Sequence, residues 1–272
     1  MSAKEKRSFY ISVLDKGFVR LVDYMGDDTS IVQAARVSYG KGTKSKRKDA
    51  DLIDYLMRNR HTSPFEMVEF KFHVKAPIFV VRQWFRHRTA SVNEISGRYS
   101  ILKDEFYIPQ KFRKQSKTNK QGSEGYVDDD TNQKLIKIVD EMTREIYARY
   151  KFLLSKGVSR ELSRIILPLN TYTEFYWKQN LHNLLHFIKL RLDSHAQEEI
   201  REYALAIAQI LRELVPVTWK SFTEHILEGK NLSKTELEII RETINKFTLE
   251  QNCKFKKLKN IRKSEFINCI TK

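Results

Sequence analysis

Arginine, histidine and short polar side chains are concentrated between Gln83 and Tyr99, where the chain reads QWFRHRTASVNEISGRY. The three arginines of this segment stand among aromatic residues, and a guanidinium presents a rigid fork of donors that suits phosphate and carboxylate groups. The Gln, Asn, Glu and Ser side chains add the mixed donors and acceptors that read the edge of a base. The segment therefore indicates a pocket wall, and the alternative is a surface turn with charge pairs such as Glu94–Arg98.

Two histidines in the second half, His182 and His186, could form half of a metal site because a spacing of four places them on one helix face. The residue after His182 is Asn183 and not the glutamate of an H-E-x-x-H motif. We therefore predict no metal.

Nucleophilic catalysis is not expected from the remaining reactive side chains. Cys253 and Cys269 lie in a basic tail with no pocket chemistry around them, so a thiolate nucleophile is not predicted. Ser96 has no paired base and is interpreted as a ligand to substrate. The chain also lacks G-x-G-x-x-G and Walker motifs, which excludes a dinucleotide held in the Rossmann manner.

The composition is that of a globular protein with a sizeable core. The chain has 272 residues, of which 41% are hydrophobic and 11% aromatic, and only nine are Gly and five Pro. These values exclude a disordered, collagenous or low-complexity chain. No apolar stretch approaches the ~20 residues of a membrane helix, the start lacks a signal-peptide pattern and the two cysteines fit no disulfide framework. We expect a cytoplasmic protein without a membrane partner.

The net charge of +16 is concentrated in three polar segments, 41–49, 111–120 and 252–272, which together carry 15 of the 16 charges. Each segment lacks apolar periodicity, and the interpretation we favour is a solvated loop or tail. The alternative is a nucleic-acid-binding protein that uses these segments, whose affinity would fall steeply with salt.

Hydrophobic periodicity predicts an α+β fold. Strands are predicted at 10–14 and 18–22 as an opening hairpin, and at 66–75, 105–108 and 171–178. Helices are predicted at 30–38 after the capping candidates Asp28 and Thr29, at 50–60, from Pro77, at 135–153 with Gly157 closing it, from Ser159 to about Pro168, at 181–192 and 195–214, and after the capping box Ser233–Glu236. Residues 113–130 are predicted to be a mobile loop.

These elements predict a mixed, largely antiparallel sheet packed with several helices. The predicted domains are residues 1–228 and a helical, lysine-rich C-terminal extension at 229–272.

The central segment also carries a recognisable signature. Arg86-His87-Arg88, followed by seven residues and Ser96, resembles the RHR-x7-S motif of the flavin-dependent thymidylate synthases. Similar segments follow the order of that family over residues 8–228, namely HTSPFE at 61–66, FHVKAPIF at 72–79, RIILPLN at 164–170 and LRLDSHAQ at 190–197.

The resemblance implies the reductive methylation of dUMP to dTMP. Methylenetetrahydrofolate would give the one-carbon unit, FAD would carry the hydride and NADPH would reduce the flavin, without a metal. It also implies a non-Rossmann flavin-binding fold and a homotetramer whose active sites combine residues of several subunits. No specific nucleic-acid partner is expected.

The resemblance further implies roles for individual residues. Arg191 corresponds to the proposed catalytic arginine, and the alternative for it is a charge pair with Asp193. The residues implied to bind dUMP are Gln83, Trp84, Phe85, Arg86, Glu94, Ile95, Ser96, Gly97, Arg98, Arg164 and Arg191. Those implied to bind FAD are Ser63, Arg86, His87, Arg88, Glu94, Asn180, Leu181, His182 and His186. His61, Glu66 and Tyr99 are expected elsewhere in the pocket.

The chain departs from the family pattern at three places. Met67 stands where the family commonly has a second His, and the insert at 113–130 and the tail after about 228 lie outside the shared pattern. A third alternative, which the joint presence of His61, Arg86, Glu94, Ser96, Arg164 and Arg191 disfavours, is a flavoprotein that has lost the synthase reaction. It would bind FAD and oxidise NADPH without forming dTMP.

Overall fold

The computed structural model describes residues 9–37 and 48–243. Its strands are β1 (Tyr10–Val13), β2 (Gly17–Met25), β3 (Glu69–Pro77), β4 (Ser91–Glu94), β5 (Arg113–Gln115), β6 (Ser123–Tyr126) and β7 (Tyr172–Asn180). Its helices are α1 (Asp28–Val37), α2 (Asp49–Arg58), α3 (Ser63–Glu66), α4 (Ile78–Trp84), α5 (Asp129–Ser155), α6 (Arg160–Ser163), α7 (Leu181–Arg191), α8 (Glu198–Leu214), α9 (Pro216–Phe222) and α10 (Lys234–Thr243). A 3₁₀ turn (Arg164–Ile166) and a π-helical turn (Thr223–Leu227) complete them.

Five strands form one antiparallel sheet in the order β1-β2-β3-β7-β4. The period of two in β3 buries Phe70, Phe72 and Val74 completely on one face. The opposite face carries His73, whose ring stacks on Tyr176 of β7 at 4.9 Å between centroids. The predicted α+β class with a largely antiparallel sheet is confirmed.

An aromatic cluster joins the sheet to the helices and fixes the end of α4. The fully buried Trp84 ring lies 5.3 Å from Trp177 of β7, 4.9 Å from Phe187 of α7 and 5.7 Å from Tyr203 of α8. Such packing contributes about 0.5–1.5 kcal/mol per aromatic pair beyond the burial of area. The core therefore fixes the position of Trp84, from which the following segment begins.

Most predicted elements are confirmed, including the opening hairpin, the strands β3 and β7, and the long helix α5 that ends before Gly157, where φ is 79°. The strand predicted at 105–108 is reduced to one isolated bridge between Phe106 and Thr171. The short elements β4, α3 and α9 were not predicted, because four exposed residues and helices of four and seven residues give little periodicity.

The prediction of a mobile loop at 113–130 is wrong. Strands β5 and β6 pair as an antiparallel hairpin, and Arg113 donates two hydrogen bonds to Glu199 of α8, at 2.7 and 2.8 Å. Asn132 closes the base of the hairpin by accepting from the Phe112 N–H at 2.8 Å. Polar side chains of the insert bond to residues that are distant in the sequence. Local periodicity does not reveal such contacts.

The predicted caps of α1 are also corrected. The side chain of Asp27 accepts from the Thr29 N–H at 2.9 Å and so caps this helix. Asp28 instead accepts from the backbone N–H groups of Val217 and Thr218, at 2.8 and 2.9 Å. It thereby satisfies the start of α9, which lies 189 residues further along the chain.

The chain divides into two compact units, residues 1–227 and 228–272. In the second unit, the predicted capping box of α10 is confirmed, since Ser233 Oγ accepts from the Glu236 N–H at 3.3 Å and Glu236 accepts from the Ser233 N–H at 2.6 Å. The cysteines at 253 and 269 and the basic segments 252–272 and 41–47 lie outside the described residues. No helix within 9–37 or 48–243 is long and apolar enough to cross a membrane.

Candidate active site

Arg191 closes α7 and is held by two uncharged acceptors. Its Nε donates to His87 Nε2 at 3.0 Å, and one Nη donates to the backbone oxygen of Gln83 at 3.3 Å. Asp193, the alternative partner from the sequence, accepts from the backbone and the ring of His195, at 2.9 and 2.7 Å. The guanidinium is half-buried, and burial lowers its pKa. Its charge is thus not neutralised by a hydrogen-bonded carboxylate in the described part of the chain.

His87 is the residue that fixes this arginine. Burial, the charge of Arg191 and the neighbouring His186 lower the pKa of His87 to about 4, so the ring is neutral at pH 7. Because Nε2 accepts from Arg191, Nδ1 carries the proton. The ring also packs edge-on against Phe187 at 4.9 Å. Its contact with Arg191 is direct.

The three residues at the end of α4 differ in what they can offer a nucleotide. Trp84 is fully buried, so any contact of this residue with dUMP is left to its backbone. Phe85 is partly buried, with its ring 5.2 Å from Phe175. Gln83 is partly exposed, and its side-chain amide donates to the Oε1 of Gln197.

The next implied ligands are exposed. Arg86 and Arg88 follow α4, and neither has an ion-pair partner among the residues that the structure describes. Glu94 ends β4 and accepts from the Thr173 hydroxyl at 2.7 Å. Ile95 follows it and is 40% exposed.

Ser96 begins a tight turn in which its Oγ accepts from the Arg98 N–H at 3.2 Å. A Cβ at the buried Gly97 would lie 3.1 Å from Cδ of Arg164, so glycine permits this arginine to cross the turn. Arg98 forms an ion pair with Glu161 at 3.3 Å. The structure thus brings the three implied ligands Ser96, Arg98 and Arg164 together.

Two further side chains border this turn. Tyr99 is 75% exposed, as expected of a residue at the mouth, and its carbonyl accepts from Arg160 at 3.1 Å. Sequence reasoning missed Arg160. Its position four residues before Arg164, on one side of a helical segment, was a signal that could have found it.

A separate pocket of about 170 Å³ collects three implied residues, His61, His182 and His186. Arg60 and Lys189 also line it, and its apolar lining consists of Leu56, Met57, Phe65, Leu185, Phe222 and Ile226. Burial and the neighbouring His182, Lys189 and Arg191 lower the pKa of His186. Arg60 and Lys189 were not singled out from the sequence.

The residues around this pocket have structural roles of their own. Ser63 opens α3 and is exposed, and Glu66 at its end accepts from the Thr62 hydroxyl at 3.4 Å. Asn180 caps α7 by accepting from the Asn183 N–H at 3.0 Å. The Leu181 side chain is fully buried, and its N–H donates to the Val68 carbonyl at 2.7 Å.

The implied residues therefore form three groups, around Arg191, around the Ser96 turn and around the histidine pocket. Among the described residues, no hydrogen bond or ion pair joins Arg191 or His87 to the Ser96 turn. Within the same residues, no three His, Cys, Asp or Glu side chains are grouped as metal ligands.

The fold and the site define an α+β protein whose arginines lie at the end of α7, after α4 and around the Ser96 turn, an arrangement that suits an anionic ligand. Comparison with known proteins gives the family. A family model described as "Thymidylate synthase complementing protein" matches residues 20–217. The chain belongs to the family of flavin-dependent thymidylate synthases.

Relatives of this name support the assignment along most of the chain. The flavin-dependent thymidylate synthase of Thermus thermophilus is 69% identical over 231 residues, which are 85% of this chain and 84% of the relative. That of Treponema denticola is 58% identical over 235 residues, covering 85% and 88%.

Among solved structures, a UMP/dUMP methylase from Streptomyces cacaoi bound with 5-Br UMP is similar, with a TM-score of 0.71. It is 36% identical, and the match covers 80% of this chain and 98% of that one.

Proposed function

We propose that this chain catalyses the reductive methylation of dUMP to dTMP, with methylenetetrahydrofolate as one-carbon donor, FAD as hydride carrier and NADPH as reductant of the flavin. The observation that carries the proposal is the geometry of Arg191 in a chain of this family. Two uncharged acceptors orient its guanidinium, and its positive charge is left for a substrate.

Arg191 is the proposed catalytic residue. Two of its donors are used internally, by His87 and by the Gln83 carbonyl, and the remaining N–H groups are left to face uracil N3 and the ring carbonyls. A positive charge at that place stabilises the negative charge of the ionised ring and so makes C5 nucleophilic. A carboxylate partner would weaken this effect, which is why a neutral His87 matters.

The Ser96 turn is the proposed phosphate site. Arg98 and Arg164 supply guanidinium groups there, Ser96 supplies a hydroxyl, and Arg160 adds a positive charge beside them. The uracil and sugar are proposed to meet Gln83, Phe85, Arg86 and the run from Glu94 to Gly97. Trp84 would contribute only its backbone.

The side chains present fit a flavin dinucleotide. The histidine pocket combines an apolar lining with Arg60 and Lys189, which suits a planar ring next to anionic groups. Gln179 supports the fit, since its Oε1 is buried without a partner among the described residues while its amide donates to Thr89, the neighbour of Arg88. When bound, FAD supplies the hydride that reduces the transferred carbon to a methyl group.

We propose that residues from several segments of the chain bind the flavin. The residues proposed to hold it are Ser63, Arg86, His87, Arg88, Glu94, Asn180, Leu181, His182 and His186, with only the backbone of Leu181 taking part because its side chain is fully buried. His61 and Tyr99 would stack on flat rings at the mouth, and Glu66 would orient a neighbouring cation. The catalytic domain would thus lie within residues 1–228, with 229–272 as an extension.

Self-association into a homotetramer with shared sites is part of the proposal. A pocket of about 170 Å³ is smaller than the ~300–1,000 Å³ typical of sites for drug-sized ligands, so one chain supplies only part of a dinucleotide site. Apolar side chains around the Ser96 turn are also exposed, and such a surface is typical of an interface. They are Tyr99 (75%), Ile101 (54%), Phe152 (59%), Leu162 (58%), Ile165 (74%) and Leu169 (64%).

Sedimentation of the purified protein tests this assembly. A tetramer at micromolar concentration is expected, and a monomer would contradict the shared sites.

The visible absorption spectrum, followed anaerobically, tests the reaction. The flavin bands are expected to bleach with NADPH and to return only when dUMP and methylenetetrahydrofolate are both added. Bleaching without that return would instead indicate a flavoprotein that has lost the synthase reaction. A colourless protein that takes up no added FAD would contradict the proposal.

A further inference from the structure

We propose that the β5–β6 hairpin supports nucleotide binding through Gln197, with Arg113 holding the start of α8 so that Gln197 there orients the amide of Gln83. Arg113 and Gln197 are positioning residues in this account. The inference rests on the proposed function, because it takes Gln83 to be a ligand of dUMP.

The hairpin is attached to α8 by a nearly buried charge cluster. Arg113 donates to both carboxylate oxygens of Glu199, at 2.7 and 2.8 Å, and to Glu198 at 3.1 Å. Tyr107 donates to Glu199 at 3.2 Å, and the Glu199 side chain is only 5% exposed. One Nη contacts both oxygens of Glu199 and the other Nη donates to Glu198, so the guanidinium bridges two neighbouring carboxylates and ties the hairpin to the first turn of α8.

The protonation of Glu199 agrees with this attachment. Burial is the largest single influence and opposes ionisation, yet the hydrogen bond and charge of Arg113 and the backbone N–H of Glu199 together lower the pKa of Glu199. The Gln197 side chain adds a hydrogen bond that acts in the same direction. Glu199 thus stays charged, and the geometric link from Arg113 to Gln197 is the start of α8, where Gln197 is the N-cap residue and Glu199 the second helical residue.

Gln197 connects the start of α8 to Gln83 in the proposed nucleotide site. It occupies the N-cap position of α8, but its side chain does not cap the helix and accepts instead from the Gln83 amide. The Gln83 carbonyl accepts in turn from Arg191 at 3.3 Å. Gln83 is therefore held from both sides, with its side-chain oxygen left to a ligand.

The alternative is that the hairpin only stabilises the fold. If the role is only structural, a substitution changes the fraction of enzyme that is folded and active. The apparent kcat then falls in proportion, and the KM for dUMP is unchanged. A positioning role would raise that KM, because Gln83 would meet the nucleotide in several orientations.

Steady-state kinetics of Gln197→Met, with Gln209→Met as matched control on the exposed side of α8, tests the inference. For Gln197→Met, the KM for dUMP is expected to rise about fivefold, as for the loss of one neutral hydrogen bond, with kcat within about twofold. In a Gln83→Met background the same substitution should add nothing, because both changes remove one interaction. Gln209→Met should match the wild type.

The hairpin is tested by the double variant Arg113→Met/Glu199→Gln. It removes the pair without leaving a buried charge alone, so it is expected to fold and to raise the KM for dUMP in the same way. If the wild type forms dTMP but the KM for dUMP is unchanged both in this variant and in Gln197→Met, the inference is overturned and the proposed function is not. A further rise of KM in the Gln83→Met background would also overturn the inference. A wild type that forms no dTMP would overturn the proposed function and the inference together.

Discussion

Arginines are presented in two different ways on this surface. Arg191 is half-buried, donates to His87 and Gln83, and projects from the end of a helix that packs in the core. Arg98 and Arg164 are exposed, and they are arranged around a turn with one ion pair to an exposed glutamate. The first arrangement fixes a charge in advance, whereas the second leaves charges to be ordered by a ligand or by another subunit.

This difference matches the demands of the two tasks. Stabilising a charge that develops on a ring requires donors that are oriented before the reaction, in a place with little water. Binding a phosphate requires positive charge and hydrogen-bond donors, and exposed arginines provide them with less precision. Substitutions in the two regions should therefore separate into effects on turnover and effects on substrate binding.

The largest effect is expected from Arg191→Ala. Removing the fixed charge should lower kcat for dTMP formation by at least about 10²–10³-fold, as for the loss of other preorganised donors, while the protein still folds. Single-turnover assays would measure this loss, and circular dichroism with the flavin spectrum would verify folding. Full activity of this variant would contradict the mechanism.

A smaller effect on turnover is expected at His87. His87→Ala removes the acceptor that orients Arg191, and the loss of a hydrogen bond to a charged group corresponds to about 10–100-fold in kcat. His87→Gln retains a neutral acceptor and should recover most of that loss. Equal activities of the two variants would show that orientation of Arg191 by this side chain is unimportant.

The exposed region should respond through binding. Arg164→Ala is expected to raise the KM for dUMP about tenfold with little change in kcat, since it removes a phosphate contact and leaves Arg191 in place. The effect should shrink as salt is added, because exposed charges are screened. A loss in kcat as large as that of Arg191→Ala would remove the distinction between the two regions.

The smallest effect is expected from deleting residues 252–272, the basic tail that lies outside the described residues. If the tail is a solvated extension, kcat and the KM for dUMP should both stay within about twofold of the full chain. Loss of activity on truncation would assign the tail a role in the enzyme.

The sequence was sufficient for the framework but not for the partners of its polar residues. Alternation in β3 and the helical stripes predicted the main strands and helices because burial of one face depends on local spacing. The signature at Arg86–Arg88 could also be recognised from the sequence, because its residues are consecutive in the chain. The roles of Asp28 and Arg113 could not be predicted, because their partners lie 189 and 86 residues away along the chain.

The implied ligands show the same limit. The resemblance implied that His87 binds flavin, but only the structure shows that its Nε2 accepts from Arg191, 104 residues away. Likewise, Trp84 and Leu181 are among the implied ligands, yet their side chains are fully buried in the core. A motif gives positions in the chain, and packing decides which atoms of those residues are available.

Titration of the His87 ring by NMR, in the wild type and in Arg191→Ala, tests most directly whether a neutral histidine holds the catalytic arginine. The pKa of His87 should be about 4 in the wild type. Burial is the main cause of this low pKa and remains in Arg191→Ala, so the pKa should rise above about 4 when the nearby positive charge is removed but stay below the ordinary value of about 6.5. A pKa near 6.5 in both proteins would contradict this account of the active site.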